Sequence, residues 1–584
     1  MLVYAHGEVG KVNKNKLLGV VYTPEKIARF LVRWAIRTNA DLVLDPGAGK
    51  GVFVFEAIKR LTELGCPESK ALDQIFAVEY DKTAFEQLKR HIEKEYAKQP
   101  DRNIITANFF DVWPGAGSIV LPTVDAVVGN PPYVERQLAE NADKIRSLLS
   151  ASHPDLKLNR STDIYGYFII HAADFLKPNG RLAFIVSDTW MSMDFGVAIR
   201  DFLLKHFRIK AIIGFDKRVF PKVLVRAVMI LLEKRAEGGE PYDNQVAFMR
   251  LSDLDLLDRL EGDLYPGKEI DNEGPRVALI QQSKLDQFIP WTIYLKSPEV
   301  YLKAISHPRM TKLSELARVN IGVQTLKRDF FIIKESERRR RGLENRFFEK
   351  IILSPRGTGI VVDSRKKVTD VVLYCDREKE DLLGTRVLLY IQQAEKTEIS
   401  PRGKGETYVG LQNIPRIKKA HRKPWYNIRA EIDRRCKGPI LIPRRIYERY
   451  AVVWNKLMLP ANEDFIVVEP KDSRWIVPLL AILNSSLTEF FARVVGHMYG
   501  GGVCDLRPDD VKNLPVLDLN TLTDSDYVNL QEAYATFLSS NGTDRRKIDE
   551  AIQSILNLPE KLQRDISRDY KEILEVSLLT KRTI

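Results

Sequence analysis

The sequence predicts an α/β protein: an open, Rossmann-like sheet with helices on both faces, then a mixed α+β domain with a helical C-terminal tail. Three observations lead to this prediction. Short apolar strands alternate with amphipathic helices through the first half of the chain. Four successive strand ends there carry polar or aromatic residues, and open α/β sheets bind ligands at such ends. Beyond that point the alternation fades and basic residues accumulate.

Length and pattern together predict two domains, because 584 residues exceed what one hydrophobic core organises. A last sheet strand at 246–249 places the predicted boundary between residues 1–250 and 251–584. From Thr521 onward, Leu and Ile recur at helical spacing, which predicts a helical tail over residues 520–584.

The composition excludes several classes of protein. No apolar run approaches the roughly 20 residues of a membrane span, and residues 1–16 lack an apolar signal core, so we expect a cytoplasmic protein without a membrane partner. The four cysteines lack metal-ligand spacing, so no metal site is expected. The net charge is +12, and residues 401–450 hold 14 Lys and Arg against 4 Asp and Glu. Such a localised positive charge favours nucleic acid as a partner.

The first predicted helix begins with Thr23 as N-cap and Pro24 in the first turn. The strand after it ends in Asp45 and a glycine-rich turn, where Gly47 and Gly49 let the backbone approach a ligand closely. The Asp45 carboxylate would repel phosphate and suits a cationic amino group. These residues favour a ligand with an amino acid end over a nucleoside triphosphate.

The next two strand ends also carry ligand-type residues. The strand at 75–78 ends in Glu79, in the position where Rossmann-like sheets bind a ribose diol. The strand at 104–106 leads to Asn108 and Phe109, a polar group followed by an aromatic ring.

The fourth strand ends in the sequence Asn130-Pro131-Pro132-Tyr133. The side-chain carbonyl of Asn130 and the backbone carbonyl of Pro131 can accept both hydrogens of an exocyclic amine. That arrangement turns the nitrogen lone pair towards an electrophile, and the ring of Tyr133 offers a surface for a planar base. Taken alone, the four residues also fit a proline-rich turn after a strand.

The order of these motifs resembles the γ subgroup of S-adenosylmethionine-dependent N6-adenine DNA methyltransferases, the TaqI type of restriction-modification methylase. Two positions depart from the usual pattern of that subgroup. Lys50 replaces a small residue in the glycine-rich turn, and Asn108 replaces an aspartate.

The resemblance implies S-adenosylmethionine as cofactor and N6 of a flipped-out adenine as methyl acceptor. Thr23 and Asp45 would lie near the methionine end, Glu79 would bind the ribose, Asn108 the adenine edge and Phe109 its face. The target base would be held by Asn130, Pro131, Pro132 and Tyr133, and Phe220 would supply a second stacking ring.

In the same family the second half recognises double-stranded DNA, so we predict that the domain 251–584 does so here. A basic cluster with interleaved aromatics is the predicted contact: Arg416, Lys418, Lys419, Arg422, Lys423, Trp425 and Tyr426. No nuclease motif precedes Thr23, so we expect any cognate restriction endonuclease to be a separate chain and this protein to act as a monomer on DNA.

Three alternatives remain open at this stage. The same site could methylate N4 of cytosine, although those enzymes more often begin the motif with Ser. A glutamine methyltransferase acting on protein shares the motif but does not need a large basic domain. The chain could also be a DNA-specificity module whose catalytic half has decayed, against which the intact Asp45, Glu79, Asn130 and Tyr133 argue.

Overall fold

The computed structural model divides the chain into two compact units, Met1–Pro298 and Glu299–Ile584. The residues that the structure describes are 23–97, 103–115, 117–132, 142–159, 162–193, 195–215, 227–236, 244–260, 276–296, 303, 306–399, 407–447, 449–499, 503–559 and 564.

The first unit is built on one nine-stranded sheet. Its strands in chain order are β1 (Val43–Asp45), β2 (Ile75–Glu79), β3 (Ile104–Thr106), β4 (Val124–Gly129), β5 (Leu176–Ser187), β6 (Phe207–Phe215), β7 (Ala227–Lys234), β8 (Gln245–Leu251) and β9 (Arg276–Gln281). A separate pair of short parallel strands, Val112–Pro114 and Ile119–Leu121, follows β3.

The order across the sheet is β9-β8-β6-β7-β5-β4-β1-β2-β3. Strands β1 to β5 are parallel to one another, whereas β7 runs antiparallel to both β5 and β6. The chain goes from β1 to β2 and β3 on one side and then crosses to β4 and β5 on the other. This reversal makes the carboxyl ends of β1 and β4 the expected ligand-binding edge of the sheet.

The main helices of this unit connect the strands. They are α1 (Glu25–Ala35), α2 (Val52–Glu63), α3 (Lys82–Tyr96), α4 (Ala142–Ser152), α5 (Ile164–Asp174) and α6 (Gly196–His206). Shorter helices cover Glu68–Ala71, Leu256–Leu260 and Thr292–Lys296. Five residues of β4 are fully or almost fully buried, as expected for an apolar strand in the middle of a sheet.

The first unit extends further along the chain than the predicted boundary at residue 250. The predicted strand at 246–249 belongs to β8, and β9 pairs antiparallel with it. Trp291, which is fully buried, packs its ring against Phe248 of β8. These contacts attach the segment up to Pro298 to the first unit.

The second unit mixes small sheets with helices. Its five-stranded sheet has the order Ala317–Ile321, Phe465–Pro470, Ile440–Pro443, Val453–Asn455 and Val361–Val362. One three-stranded sheet has the order Ile332–Lys334, Asp370–Leu373 and Phe348–Ile351, and another has the order Arg445–Ile446, Val503–Asp505 and His497–Tyr499. Two strand pairs complete the unit: Met310–Lys312 with Pro515–Leu517, and Glu398–Ile399 with Tyr408–Val409.

The α-helices of the second unit are mostly short. They cover Leu313–Leu316, Arg328–Phe331, Glu335–Arg340, Arg386–Lys396, Pro415–Lys419, Arg429–Arg435, Ile476–Leu483, Ser486–Val495, Pro508–Lys512, Asp524–Ser539 and Arg546–Leu556. The last two fall within the predicted helical tail, and Ser486 binds Asp549 of the final helix through its N–H and its hydroxyl.

Within the described residues no single helix is long and apolar enough to cross a membrane. Taken together, the helical segments Ser473–Leu483 and Ser486–Val495 have the length and composition of a membrane span, but the pair is bent by 78°. Most residues of both helices are buried in the second unit.

Candidate active site

The candidate site lies where the carboxyl ends of β1 and β4 meet at the reversal of strand order. Asp45 ends β1 and Asn130 follows β4 directly. Gly129, the last residue of β4, lies close to Asp45. A Cβ added to this glycine would lie 3.1 Å from Oδ1 of Asp45, closer than most such contacts. A glycine is therefore needed here for Asp45 to keep its position.

Asp45 is a buried carboxylate, 1% exposed, with an incomplete set of partners. Oδ1 accepts a hydrogen bond from the Gly47 N–H at 3.2 Å. Oδ2 is buried and has no hydrogen-bond partner among the described residues. Burial raises the pKa of Asp45 to about 8, the Gly47 N–H opposes this, and the charge of Glu79 adds to it. A cationic group would stabilise the ionised carboxylate.

Glu79 connects the glycine-rich turn to the end of β2. One carboxylate oxygen accepts from the Gly49 N–H at 2.6 Å and the other from the Asp81 N–H at 2.7 Å. Burial raises the pKa of Glu79, and these N–H groups partly offset the rise. The carboxylates of Asp45 and Glu79 thus lie at neighbouring strand ends with the turn between them.

The glycine-rich turn has open space beside part of its backbone. A Cβ at Gly47 or Gly49 would meet no atom within 4 Å, so both glycines border open space. By contrast, a Cβ at Gly51, which has φ +89°, would lie 2.3 Å from the Leu88 side chain, so only glycine fits there. Lys50, the departure from the family pattern, is exposed.

Asn130 is tied to the start of α1. Its Nδ2 donates to the Thr23 hydroxyl at 3.0 Å. Thr23 does not cap α1 as the sequence predicted, because the residue before the helix is Pro24, and the helix has no side-chain cap. The structure instead connects Thr23 to the proposed catalytic motif. Pro131 is buried and Pro132 is half-buried beside it.

Asn108 and Phe109 lie after β3, as predicted, and their side chains have different surroundings. Asn108 caps a 3-10 turn, with Oδ1 accepting from the Phe110 N–H at 3.2 Å, a role that Asn and Asp perform about equally well. The Phe109 ring is 2% exposed and packs against Phe168 and Phe175. The protein core covers the Phe109 ring in this structure, so the predicted stacking on the cofactor adenine would require the ring to move and stays a prediction.

An aromatic residue that the sequence analysis missed lies next to Glu79. Tyr80 is 50% exposed, which is unusual for a large aromatic side chain beside a candidate ligand site. Its position directly after the acidic residue at the end of β2 was the available signal. Two predicted stacking residues, Tyr133 and Phe220, lie outside the described residues.

The predicted DNA-binding cluster divides into exposed and buried members. Four of the seven are exposed: Arg416, Lys418, Lys419 and Lys423. The first three belong to the helix Pro415–Lys419, which we call the basic helix. Its exposed cations are available to phosphates.

The other three members have structural roles, which corrects the prediction. Tyr426 is fully buried and donates to the Arg377 carbonyl at 2.8 Å. Trp425 packs on the same core and donates to Glu395 at 2.8 Å. The side chain of Arg422 is 10% exposed, donates to the Gln324 carbonyl at 2.7 Å and pairs with Glu431 at 3.0 Å.

Among the described residues no group of three or more His, Cys, Asp or Glu side chains is arranged to hold a metal ion. All four cysteines are buried and none forms a disulfide bond.

Two stretches of the chain match known families. Residues 23–220 match the family described as Eco57I restriction-modification methylase, and residues 288–552 match the C-terminal domain of the type II methyltransferase M.Eco57I. Together the two matches cover most of the chain, which is therefore similar over most of its length to Eco57I-type restriction-modification methylases. It is a restriction-modification methyltransferase.

Individual relatives agree with this assignment. The type II methyltransferase M.AccI of Acinetobacter calcoaceticus is 22% identical over 558 residues, which cover 91% of each chain. M.XamI of Xanthomonas campestris pv. amaranthicola is 27% identical, over 53% of this methylase and 52% of the relative. The type IIL restriction-modification enzyme MmeI, solved in complex with DNA, has a TM-score of 0.52 and 13% identity over 95% of this chain and 75% of its own. That likeness concerns the fold.

Proposed function

We propose that this methylase transfers a methyl group from S-adenosylmethionine to N6 of an adenine flipped out of a specific duplex sequence, and so protects DNA from a cognate restriction endonuclease. The observation that carries the proposal is the meeting of Asp45 and Asn130 at the switch point of the sheet, with Thr23 bonded to Asn130. The order of motifs, with the cofactor residues first and the recognition unit last, supports the γ arrangement.

The residues at the edge of the sheet fit the cofactor. The buried Oδ2 of Asp45 lacks a partner among the described residues and would accept the cofactor ammonium, and Glu79 would accept hydrogen bonds from the ribose. Gly47 and Gly49 leave room for the ligand. Tyr80, exposed beside Glu79, takes the place on the adenine ring that the covered Phe109 could fill only by moving. The cofactor supplies an activated methyl group.

The methyl acceptor would be positioned by the motif that begins at Asn130. The Asn130 side-chain carbonyl and the Pro131 backbone carbonyl accept the two amine hydrogens, and the lone pair then faces the methyl group. The Thr23 hydroxyl, 3.0 Å from Nδ2 of Asn130, holds the amide in place. No residue needs to remove a proton first, because the lone pair is the nucleophile and the nitrogen becomes acidic only after transfer.

Flipping the base costs roughly a few kcal/mol. In our proposal Tyr133 and Phe220 recover part of this by stacking, which is worth about 1 to 3 kcal/mol per base. The basic helix and Lys423 would neutralise phosphates of the duplex, on which the protein acts as a monomer. The endonuclease would be a separate chain.

A transfer assay tests the proposal. The purified protein is incubated with tritiated S-adenosylmethionine and unmethylated duplex DNA, in parallel with Asn130→Ala. We expect label in DNA with the wild type, at least about 100-fold less with the variant, and similar DNA binding by both, because Asn130 acts on the amine and not on the phosphates. Cofactor binding without label in DNA would contradict the proposal and favour a protein or RNA substrate. Absence of cofactor binding would favour a decayed specificity module.

A further inference from the structure

A histidine that belongs to none of the sequence motifs contacts the turn carrying Asn108. His171 of α5 is fully buried. Its Nε2 lies 2.9 Å from the carbonyl oxygen of Val112 and 3.2 Å from that of Phe109. Because both partners are acceptors, Nε2 carries the proton and donates to both.

These two carbonyls belong to the 3-10 turn Phe109–Asp111 and the residue after it. The turn begins at Asn108, whose side chain caps it. The Asn108 cap and the His171 donor therefore hold the same short turn. The Phe109 carbonyl also accepts from the Val112 N–H within the turn, and the His171 bond adds to it. A hydrogen bond of this kind is worth about 1 kcal/mol.

The His171 ring is held by packing and by its bonds to the two backbone carbonyls. The imidazole packs against Phe109 and Trp113, with ring centroids 4.6 Å and 4.5 Å apart. Its Nδ1 makes no hydrogen bond among the described residues and lies 3.7 Å from Oδ2 of Asp174.

We propose that His171 is a positioning residue for cofactor binding: it holds the turn that presents Asn108 to the adenine edge of S-adenosylmethionine. This inference rests on the proposed function, since it needs the cofactor adenine to lie at Asn108. His171 contacts neither cofactor nor DNA in this account. It acts through the backbone of Phe109 and Val112.

The test compares His171→Gln, which keeps an N–H donor at a similar distance from the backbone, with His171→Leu, which has none. S-adenosylhomocysteine binding is measured by calorimetry, and KM for cofactor and DNA are measured separately. We expect His171→Leu to raise the Kd for S-adenosylhomocysteine about tenfold and His171→Gln to restore most of the affinity, with the KM for DNA unchanged. His91 is exposed on α3 and packs its ring against Phe55, away from His171. It provides the matched control His91→Gln, which should bind as the wild type does.

Two results would overturn the inference. One is wild-type cofactor affinity in His171→Leu, and the other is an equal loss of DNA and cofactor binding in both His171 variants. If His171→Leu does not fold, His171→Phe replaces it, because a phenyl ring keeps the packing against Phe109 and Trp113 and has no N–H donor. It should raise the Kd for cofactor to a similar extent, and an unchanged Kd would contradict the inference. Failure of the wild type itself to bind S-adenosylhomocysteine would refute the proposed function instead.

Discussion

Asp45 is almost completely buried, its pKa is raised by that burial, and one of its oxygens has no hydrogen-bond partner among the described residues. In the ligand-free protein it is protonated below about pH 8. A bound ammonium stabilises the carboxylate and lowers that pKa, so binding at pH 6 to 7 must release a proton.

We therefore predict that affinity for S-adenosylhomocysteine rises between pH 6 and pH 8 and levels off as Asp45 ionises. Calorimetry in buffers with different ionisation enthalpies measures the released proton. Asp45→Asn cannot ionise, so it should bind weakly with no proton release from this position. An affinity that is flat from pH 6 to 8 in the wild type would remove Asp45 from the ammonium site.

Thr23 gives a second prediction at this scale. Thr23→Val removes the hydroxyl that accepts from Asn130 while keeping the shape of the side chain. A hydrogen bond of this kind is worth about 1 kcal/mol, so kcat should fall about fivefold with the KM for DNA unchanged. Thr23→Ser keeps the hydroxyl and should retain most of the activity. Equal rates for the Val and Ser variants would mean that the bond does not position Asn130.

The sequence predicted which residues lie at strand ends better than it predicted which side chains are buried. The positions of Asp45 and Glu79 at neighbouring strand ends were predictable, because a polar residue directly after a short apolar run marks where a buried strand ends. The burial of Trp425 and Tyr426 was not, because basic neighbours in the sequence do not reveal which side of the chain faces the core. The same ambiguity applies to Phe109, whose ring the core covers.

The secondary-structure elements were predicted best where the signal is local. The strand at 104–106 was predicted with its observed limits, and the predicted strand at 75–78 covers all of β2 except its last residue. Strand β9 was missed because the polar stretch before it, with Gly and Pro at 266–267 and 274–275, is typical of a linker, and because its pairing with β8 is a contact distant in sequence. This is also why the domain boundary was placed too early.

The basic helix makes a prediction at the scale of one element. Each phosphate contact contributes about 0.9 to the slope of log affinity against log salt, so the pair Lys418→Glu and Lys419→Glu should weaken DNA binding and reduce that slope by about 2. Lys366→Glu with Lys367→Glu changes the net charge equally at another exposed pair, and should leave the slope nearly unchanged. Equal effects from both pairs would mean that net charge, and not this helix, attracts DNA.

Arg422 should behave differently from its exposed neighbours. It donates to the Gln324 carbonyl and pairs with Glu431, so Arg422→Ala removes structural bonds worth about 2 kcal/mol. We predict a lower unfolding midpoint in urea, with the salt dependence of DNA binding retained. A reduced slope without loss of stability would return Arg422 to the DNA contacts that the sequence first suggested.

At the scale of the whole molecule, the residues proposed to bind the cofactor and those proposed to bind DNA lie in different units. The proposed cofactor and amine-binding residues lie in the unit Met1–Pro298, and the exposed basic helix lies in the unit Glu299–Ile584. The two family matches nearly follow the same division: the first, at residues 23–220, lies in the first unit, and the second, at 288–552, begins in the last part of the first unit and covers most of the second. Cofactor binding and DNA binding should therefore be separable by mutation in the intact chain.

The most direct test of the central claim is the identity of the modified base. Unmethylated genomic DNA is incubated with the protein and S-adenosylmethionine, digested to nucleosides and analysed by mass spectrometry against an Asn130→Ala control. The account predicts N6-methyldeoxyadenosine that depends on Asn130. N4-methyldeoxycytidine in its place would contradict the adenine assignment while keeping the amine-binding site, and DNA without any methylated nucleoside would contradict the account as a whole.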